Sequence, residues 1–271
     1  LTKKEWNELT KLKTGDQNLV KRINKSIVLN SIENKGPISR AQISKETGLN
    51  KATVSTMVSD LIKENFVNEI GPGQSSGGRK PVMLYFNNRA GYAIGVDLGV
   101  NYILAVLTDL RGDVVEERYE PLLGHEISEI VKQLQKVIEK LINCAPNSPY
   151  GVIGIGIGAP GIVNQNGTIL FAPYLPIRQY NLKQSMENLF DIPTIVANEA
   201  NAGAHGERLY GAGKHVSNLI YESMGIGIGT GIIINDQLYT GSTGISGEMG
   251  HLTIETQGKK CQCGNRGCWE L

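Results

Sequence analysis

The chain has no long apolar run: no stretch of its 271 residues reaches the length of a membrane span, and the longest candidates are strands studded with glycine. Leu1 to Val20 is charged and polar, without the apolar core of a secretory signal. Cysteine is scarce. There are four, and three of them crowd into one short stretch instead of being spread as a disulfide framework would be. Net charge is also nearly missing, at +1. Together these absences exclude a membrane-spanning protein and a disulfide-stapled secreted module, and they place the chain in the cytoplasm with no membrane partner. An apolar content of 40% is enough to bury a real core, most simply in two domains.

The near-zero charge hides an asymmetry. Residues 1–90 hold 15 Lys/Arg against 8 Asp/Glu, and residues 91–271 hold 12 against 18. A basic front and an acidic back predict that only the front meets a polyanion. The chain begins without methionine and stops directly after Trp269-Glu270-Leu271, inside a motif, which predicts a fragment of a longer protein.

Residues 1–18 form a lysine-rich lead with weak helical periodicity, expected to be an arm. Residues 19–88 carry the pattern of a winged helix-turn-helix DNA-binding domain. Val20, Ile23, Ile27, Val28, Leu29 and Ile32 follow helical spacing, and Asn34-Lys35-Gly36-Pro37 ends that helix. Ser39 is the expected N-cap of a short helix through Thr47. Gly48-Leu49-Asn50 makes the turn, and a second helix runs from Lys51 to about Glu64 with Val54, Val58, Leu61 and Ile62 on its buried side. Its outward positions Lys51, Thr53, Ser55, Thr56 and Ser59 are small or cationic, as suits a helix entering a major groove. A hairpin follows, and its tip carries Arg79 and Lys80, placed to reach the DNA backbone or minor groove. The expected DNA contacts are Ser39, Arg40, Asn50, Lys51, Thr53, Ser55, Thr56, Arg79 and Lys80. A helical bundle with a solvated basic face is the competing reading.

Residues 89–271 read as α/β. An apolar strand ends in Asp97-Leu98-Gly99, a return strand spans Tyr102 to Thr108, and a third runs from Val114 to Tyr119. An amphipathic helix follows over about Ile127 to Asn143, with Cys144 at its end expected in the core, and then the buried strand Val152 to Gly158. That order is the opening half of a ribonuclease-H-like domain of the actin/hexokinase-type ATPase fold. Thr194 to Ala202 is a strand delivering polar side chains to a helix start. Leu219 to Ile234 is a second Gly-rich strand pair, weak evidence for phosphate binding by itself.

The densest chemistry lies between Glu248 and Glu270. His251 with Cys261, Cys263 and Cys268 is one imidazole and three thiolates, the ligand set of a closed, tetrahedral structural zinc site. A local disulfide with a spare thiol is the alternative. Glu248 and Glu270 bracket the cluster, either as a polar ligand site or as surface carboxylates.

At these residues the chain resembles the ROK family of sugar kinases and sugar-responsive repressors. Gly247-Glu248-Met249-Gly250-His251 and Cys261-Gln262-Cys263-Gly264-Asn265-Arg266-Gly267-Cys268-Trp269-Glu270 match the family's E-x-G-H and C-x-C-G-x-x-G-C-x-E patterns, and the resemblance covers essentially the whole chain. It implies sugar contacts from Asn198, Glu199, Glu248, His251 and Glu270, with backbone help around Gly161. A crevice of carboxylates and an amide can pair the hydroxyls of a pyranose.

Three departures separate the chain from the family's kinases. The first phosphate loop, Asp-x-Gly-Gly-Thr-Lys in kinases, reads Asp97-Leu98-Gly99-Val100-Asn101-Tyr102. Ile226 and Thr230 replace a threonine and a glycine of the second loop. Glu199 stands where kinases carry the Asp base that takes the substrate's hydroxyl proton, and it is one methylene longer. The resemblance is therefore to the repressor branch: no enzyme, but a homodimer or homotetramer on operator DNA, released when a monosaccharide inducer, D-xylose, binds. Glucose or an N-acetylhexosamine as inducer, and an active sugar kinase, remain open at this point.

Overall fold

In the computed structural model the described residues are 17–72, 81–124, 126–242 and 244–271. The expected N-terminal arm up to residue 16, and Arg79 and Lys80 of the wing tip, lie outside them. The chain divides into two compact units, one ending at Ala90 and the other starting at Gly91.

In the first unit, helix α1 (Gln17–Lys35) buries Val28 and Ile32. Strand β1 (Ile38–Ser39) leads into α2 (Arg40–Thr47). Ser39 is its N-cap, in a capping box with Gln42: the Gln42 amide donates to the Ser39 hydroxyl, and the Ser39 amide donates to the Gln42 side chain. Gly48 ends the helix in the left-handed region at φ 72°, where a side chain would be strained. Asn50 then caps α3 (Lys51–Lys63), its Oδ1 accepting from the Thr53 amide at 2.8 Å. The buried stripe of α3 is Val54, Met57, Val58 and Leu61. Met57 takes the place expected for Ile62, because positions 54, 57, 58 and 61 share one face while 62 lies at its edge and is only half-buried. Strands β2 (Val67–Pro72) and β3 (Val82–Phe86) form the hairpin, and β1 pairs with the outer side of β3 in the order β1-β3-β2. The two-residue β1 is too short to leave a periodic signal in the sequence.

The second unit is built on a five-stranded sheet in the order β11-β7-β4-β5-β6. Its strands are β4 (Tyr92–Leu98), β5 (Tyr102–Asp109), β6 (Val114–Pro121), β7 (Val152–Ala159) and, later in the chain, β11 (Thr194–Asn198). β4, β7 and β11 run parallel, and β5 and β6 are antiparallel returns. Helix α4 (Ile127–Cys144) buries Ile130, Leu134, Val137, Ile138 and Leu141 in the same core as Ile94, Leu98 and Leu107 of the sheet. Cys144 is not part of that core: it is exposed, with the Arg118 guanidinium 3.7 Å from its sulfur, because the buried stripe has already turned away at Leu141. Strands β8 (Ile162–Val163), β9 (Thr168–Ala172) and β10 (Ile177–Asn181) make a second small sheet, followed by α5 (Leu182–Phe190). Helix α6 (Glu199–Tyr210) starts directly at the end of β11. It packs on a third sheet made of β12 (Leu219–Met224), β13 (Ile228–Ile234) and β14 (Gln237–Leu238). Among the described residues no helix is long and apolar enough to cross a membrane.

Candidate ligand crevice and metal cluster

The three parallel strands all end at one crevice of about 620 Å³, the usual place for a ligand on an open α/β sheet. β4 brings Asp97, β7 leads to Pro160-Gly161, and β11 delivers Asn198 and Glu199; Glu248, His251 and Glu270 line the same space. All the candidate sugar contacts therefore converge in the second unit.

Asn198 organises the floor of the crevice. As N-cap of α6 its Oδ1 accepts from the amides of Ala200 at 2.9 Å and Asn201 at 3.1 Å. Its Nδ2 donates to the Gly161 carbonyl and to Glu199 Oε2, both at 3.0 Å. With all four of its hydrogen-bond positions committed, Asn198 orients Glu199 and the Gly161 turn. Glu199 starts the helix with its carboxyl in the crevice. Burial raises it to about 7, and the nearby carboxylates of Glu248 and Asp97 push the same way.

The segment holding Glu248 and His251 lies directly on β13. A Cβ on Gly247, which sits at φ 84°, would come within 2.3 Å of the Thr230 carbonyl, and one on Gly250 within 2.3 Å of the Ile228 carbonyl. The spacing of the Gly-Glu-x-Gly-His motif is thus a packing requirement. Backbone bonds from Trp269 to Leu252 and from Glu270 to Gly250, both 3.0 Å, then draw the last residues alongside it. The result is a row. Glu248 Oε2 is 3.8 Å from His251 Nε2, and Glu270 Oε1 is 3.3 Å from His251 Nδ1. The Glu270 side chain is only 3% exposed, which removes the surface-carboxylate alternative for it. It accepts from the Tyr174 hydroxyl and from the Cys261 thiol, each at 3.0 Å. Burial raises the Tyr174 phenol to about 12, with the Glu270 hydrogen bond and charge adding to the effect. The Glu248 carboxyl is also raised by burial, partly offset by His251.

The ligand atoms of His251, Cys261, Cys263 and Cys268 all lie within 4.8 Å of one another. Cys261 Sγ is 3.7 Å from His251 Nδ1, and Cys263 Sγ is 3.7 Å from Cys268 Sγ. Zinc–sulfur bonds of about 2.3 Å at a tetrahedral angle set neighbouring sulfurs about 3.8 Å apart, so the donor set fits that ion. All four cysteines are free. As thiolates with no cation beside them, these groups are poorly accommodated: burial pushes Cys261 up to about 12 and raises Cys268 as well.

The other end of the crevice is filled. A Cβ on Gly99 would meet the Tyr102 ring at 2.3 Å, so the ring lies directly over the first glycine loop. Its hydroxyl donates to Asp97 Oδ2 at 2.6 Å, and its face stacks on Tyr119 with ring centroids 5.7 Å apart. Tyr102 and Tyr174 were not among the candidate site residues. Nor was Thr230, which lines the crevice and whose buried hydroxyl has no partner among the described residues. Tyr102 had a sequence signal as bulk in the first glycine loop and Thr230 as a departure in the second; Tyr174 had none.

On the helix-turn-helix, Lys51, Ser55 and Thr56 are exposed on α3, and Thr53 is half-buried. Asn50 is exposed while its Oδ1 serves the cap, and Arg40 pairs with Glu69 at 2.8 Å. Ser39 is 4% exposed with its hydroxyl and amide both spent on the cap, so its side chain is not available to DNA.

Known proteins agree with both units. A family model described as winged helix-turn-helix DNA-binding matches residues 23–68, and the ROK family model matches residues 93–271. A xylose repressor of Bacillus spizizenii is 52% identical over 258 residues, covering 95% of this chain and 67% of the relative. A solved ROK family transcriptional regulator, a homologue of the Escherichia coli MLC protein, aligns with a TM-score of 0.76 at 31% identity over 93% of this chain and 64% of its own. A ROK family glucokinase from Streptomyces griseus, solved with glucose and AMPPNP, aligns with a TM-score of 0.62 at 34% identity over 66% of this chain and 56% of its own. The chain thus spans about two-thirds of the length of such relatives. With its winged helix-turn-helix followed by a ribonuclease-H-like domain that bears the E-x-G-H and cysteine motifs, the chain belongs to the ROK family.

Proposed function

We propose that this protein is a sugar-responsive transcriptional repressor of xylose-utilisation genes, without phosphoryl-transfer activity. Residues 19–88 are the operator-binding domain and 89–271 the sugar-binding ROK domain. Lys51, Thr53, Ser55 and Thr56 read or clamp the major groove; Arg40, Asn50, Arg79 and Lys80 serve the flanking phosphates. The protein works in the cytoplasm as a homodimer or homotetramer, so that two wings meet two half-sites.

D-xylose binds in the crevice with its hydroxyls paired by Glu199, Glu248, His251 and Glu270. A structural zinc ion on His251, Cys261, Cys263 and Cys268 supplies rigidity to the segment that carries two of those contacts. His251 faces the cysteines with Nδ1 and Glu248 with Nε2, which leaves one ring nitrogen for the metal and one for the ligand side.

The observation that carries this reading is the occupied phosphate loop. A protein that keeps the sugar-pairing carboxylates but seats Tyr102 on Gly99 has a receptor's crevice without room for the backbone to cradle a phosphate. The sugar releases DNA only to the extent that it prefers the DNA-free arrangement. The test is a binding titration on a DNA site enriched by the protein from a random pool, with and without D-xylose. Affinity should fall at least tenfold with the sugar. Unchanged affinity with xylose, but a drop with glucose or N-acetylglucosamine, would replace the inducer; ATP turnover with any of these sugars would replace the repressor reading by a kinase.

A further inference from the structure

Glu199 is held in the crevice through one of its oxygens. Oε2 accepts from Asn198 Nδ2 at 3.0 Å, and Oε1 lies 3.6 Å from where a Cβ on Gly229 of β13 would stand. On one side of it are Glu248, His251 and Glu270, and on the other Asp97 with Tyr102 over Gly99. The side chain therefore stands at the junction between the hydroxyl-pairing end and the filled end. Its anchor is fixed, because Asn198 is locked by its four hydrogen bonds, and β13 passes close to the start of α6: a Cβ on Gly229 would be 2.9 Å from Ala200.

The chemistry of the position gives the length of this side chain a meaning. The resemblance to the family's kinases implies a shorter Asp here that addresses the reacting hydroxyl, and the exocyclic primary alcohol is the least hindered hydroxyl of a hexopyranose. A pentopyranose of the same ring stereochemistry differs by the absence of that hydroxymethyl group. Replacing Asp by Glu carries the carboxyl one carbon–carbon bond, about 1.5 Å, further from the backbone in a crevice that the side chain lines.

We propose that Glu199 is the size selector of the crevice: its extra methylene fills the place a hexopyranose would need for its hydroxymethyl group, so that the site takes pentopyranoses and rejects the homologous hexoses. This rests on the reading of the crevice as a monosaccharide site. One methylene more or less in a shaped pocket discriminates by about 10- to 200-fold, which is the size of effect the proposal requires.

The test is calorimetric titration of the purified protein, wild type, Glu199→Asp and Glu199→Gln, with D-xylose, D-glucose and 6-deoxy-D-glucose. Wild type should bind xylose at least tenfold more tightly than either six-carbon sugar, because a steric selector excludes a methyl as well as a hydroxymethyl. Glu199→Asp should close that gap at least tenfold, and Glu199→Gln, of equal length, should keep it. Equal wild-type affinity for xylose and 6-deoxyglucose overturns the proposal, even if Glu199→Asp fails to fold. An unchanged ratio in Glu199→Asp, or a lost one in Glu199→Gln, overturns it too while leaving the sugar-binding reading intact. Binding of none of the three sugars by wild type overturns both.

Discussion

Glu199 and its neighbours show how a single carboxyl acquires its properties from its surroundings. Four carboxylates, Asp97, Glu199, Glu248 and Glu270, line one crevice, and burial above all raises Glu199 to about 7 against an ordinary 4.5. The folded protein then retains a proton that the unfolded chain releases between about pH 4.5 and 7. Stability therefore falls as pH rises through that window, and the loss is complete above it. Glu199→Gln removes this term. In thermal denaturation series from pH 5 to 8 the wild-type midpoint should decline relative to the variant, and the variant should be the more stable at pH 8; parallel profiles would exclude the assignment. Other residues teach the reverse lesson about what a sequence conveys. Ser39 was legible as an N-cap from its place before Arg40, and the same role takes its side chain away from DNA. Cys144 at the end of a strongly amphipathic helix looked like core, but the helix had already turned that position outward.

Among the elements, the helix-turn-helix was nearly complete in the sequence because its signals are local: a cap, a left-handed glycine, a second cap and a stripe at helical spacing. Those signals also separate stability from recognition on the same helix. Asn50→Ala deletes the acceptor for the Thr53 amide and should cost about 1 kcal/mol in chemical denaturation. Lys51→Ala, one residue later and exposed, should leave stability within about 0.5 kcal/mol while weakening DNA binding at all sequences and reducing the log–log salt slope by about 1. The opposite pattern would move recognition away from the start of α3. Strands β8 to β10 and helix α5 were not legible in the same way, since two to five residues of strand carry too little periodicity to be distinguished from loop.

At the scale of the whole molecule, the His/Cys cluster and the crevice are one structure, because Glu270 accepts from a cluster cysteine and lies beside His251. Stripping metal with a strong chelator should lower the thermal midpoint of the ROK domain and abolish any xylose-induced stabilisation. Elemental analysis should find one zinc per chain, lost in Cys261→Ser. An unaltered midpoint and a full sugar response after chelation would uncouple the two.

The cluster that could hold a metal was legible in the sequence alone, because the three thiols lie within one short loop and His251 precedes them on a glycine-bounded turn, so local geometry suffices to converge them. The basic front and the capped helix pair were determined in the same local way. The closing of the crevice was not. Glu270 reads equally as a ligand-site or a surface carboxylate until packing brings Tyr174, 96 residues away, onto its oxygen. Tyr102 reads only as bulk until pairing of β4 with β5 and stacking on Tyr119 lay its ring on the glycine loop. Such contacts depend on how separate sheets and helices pack, and no spacing in the chain records that.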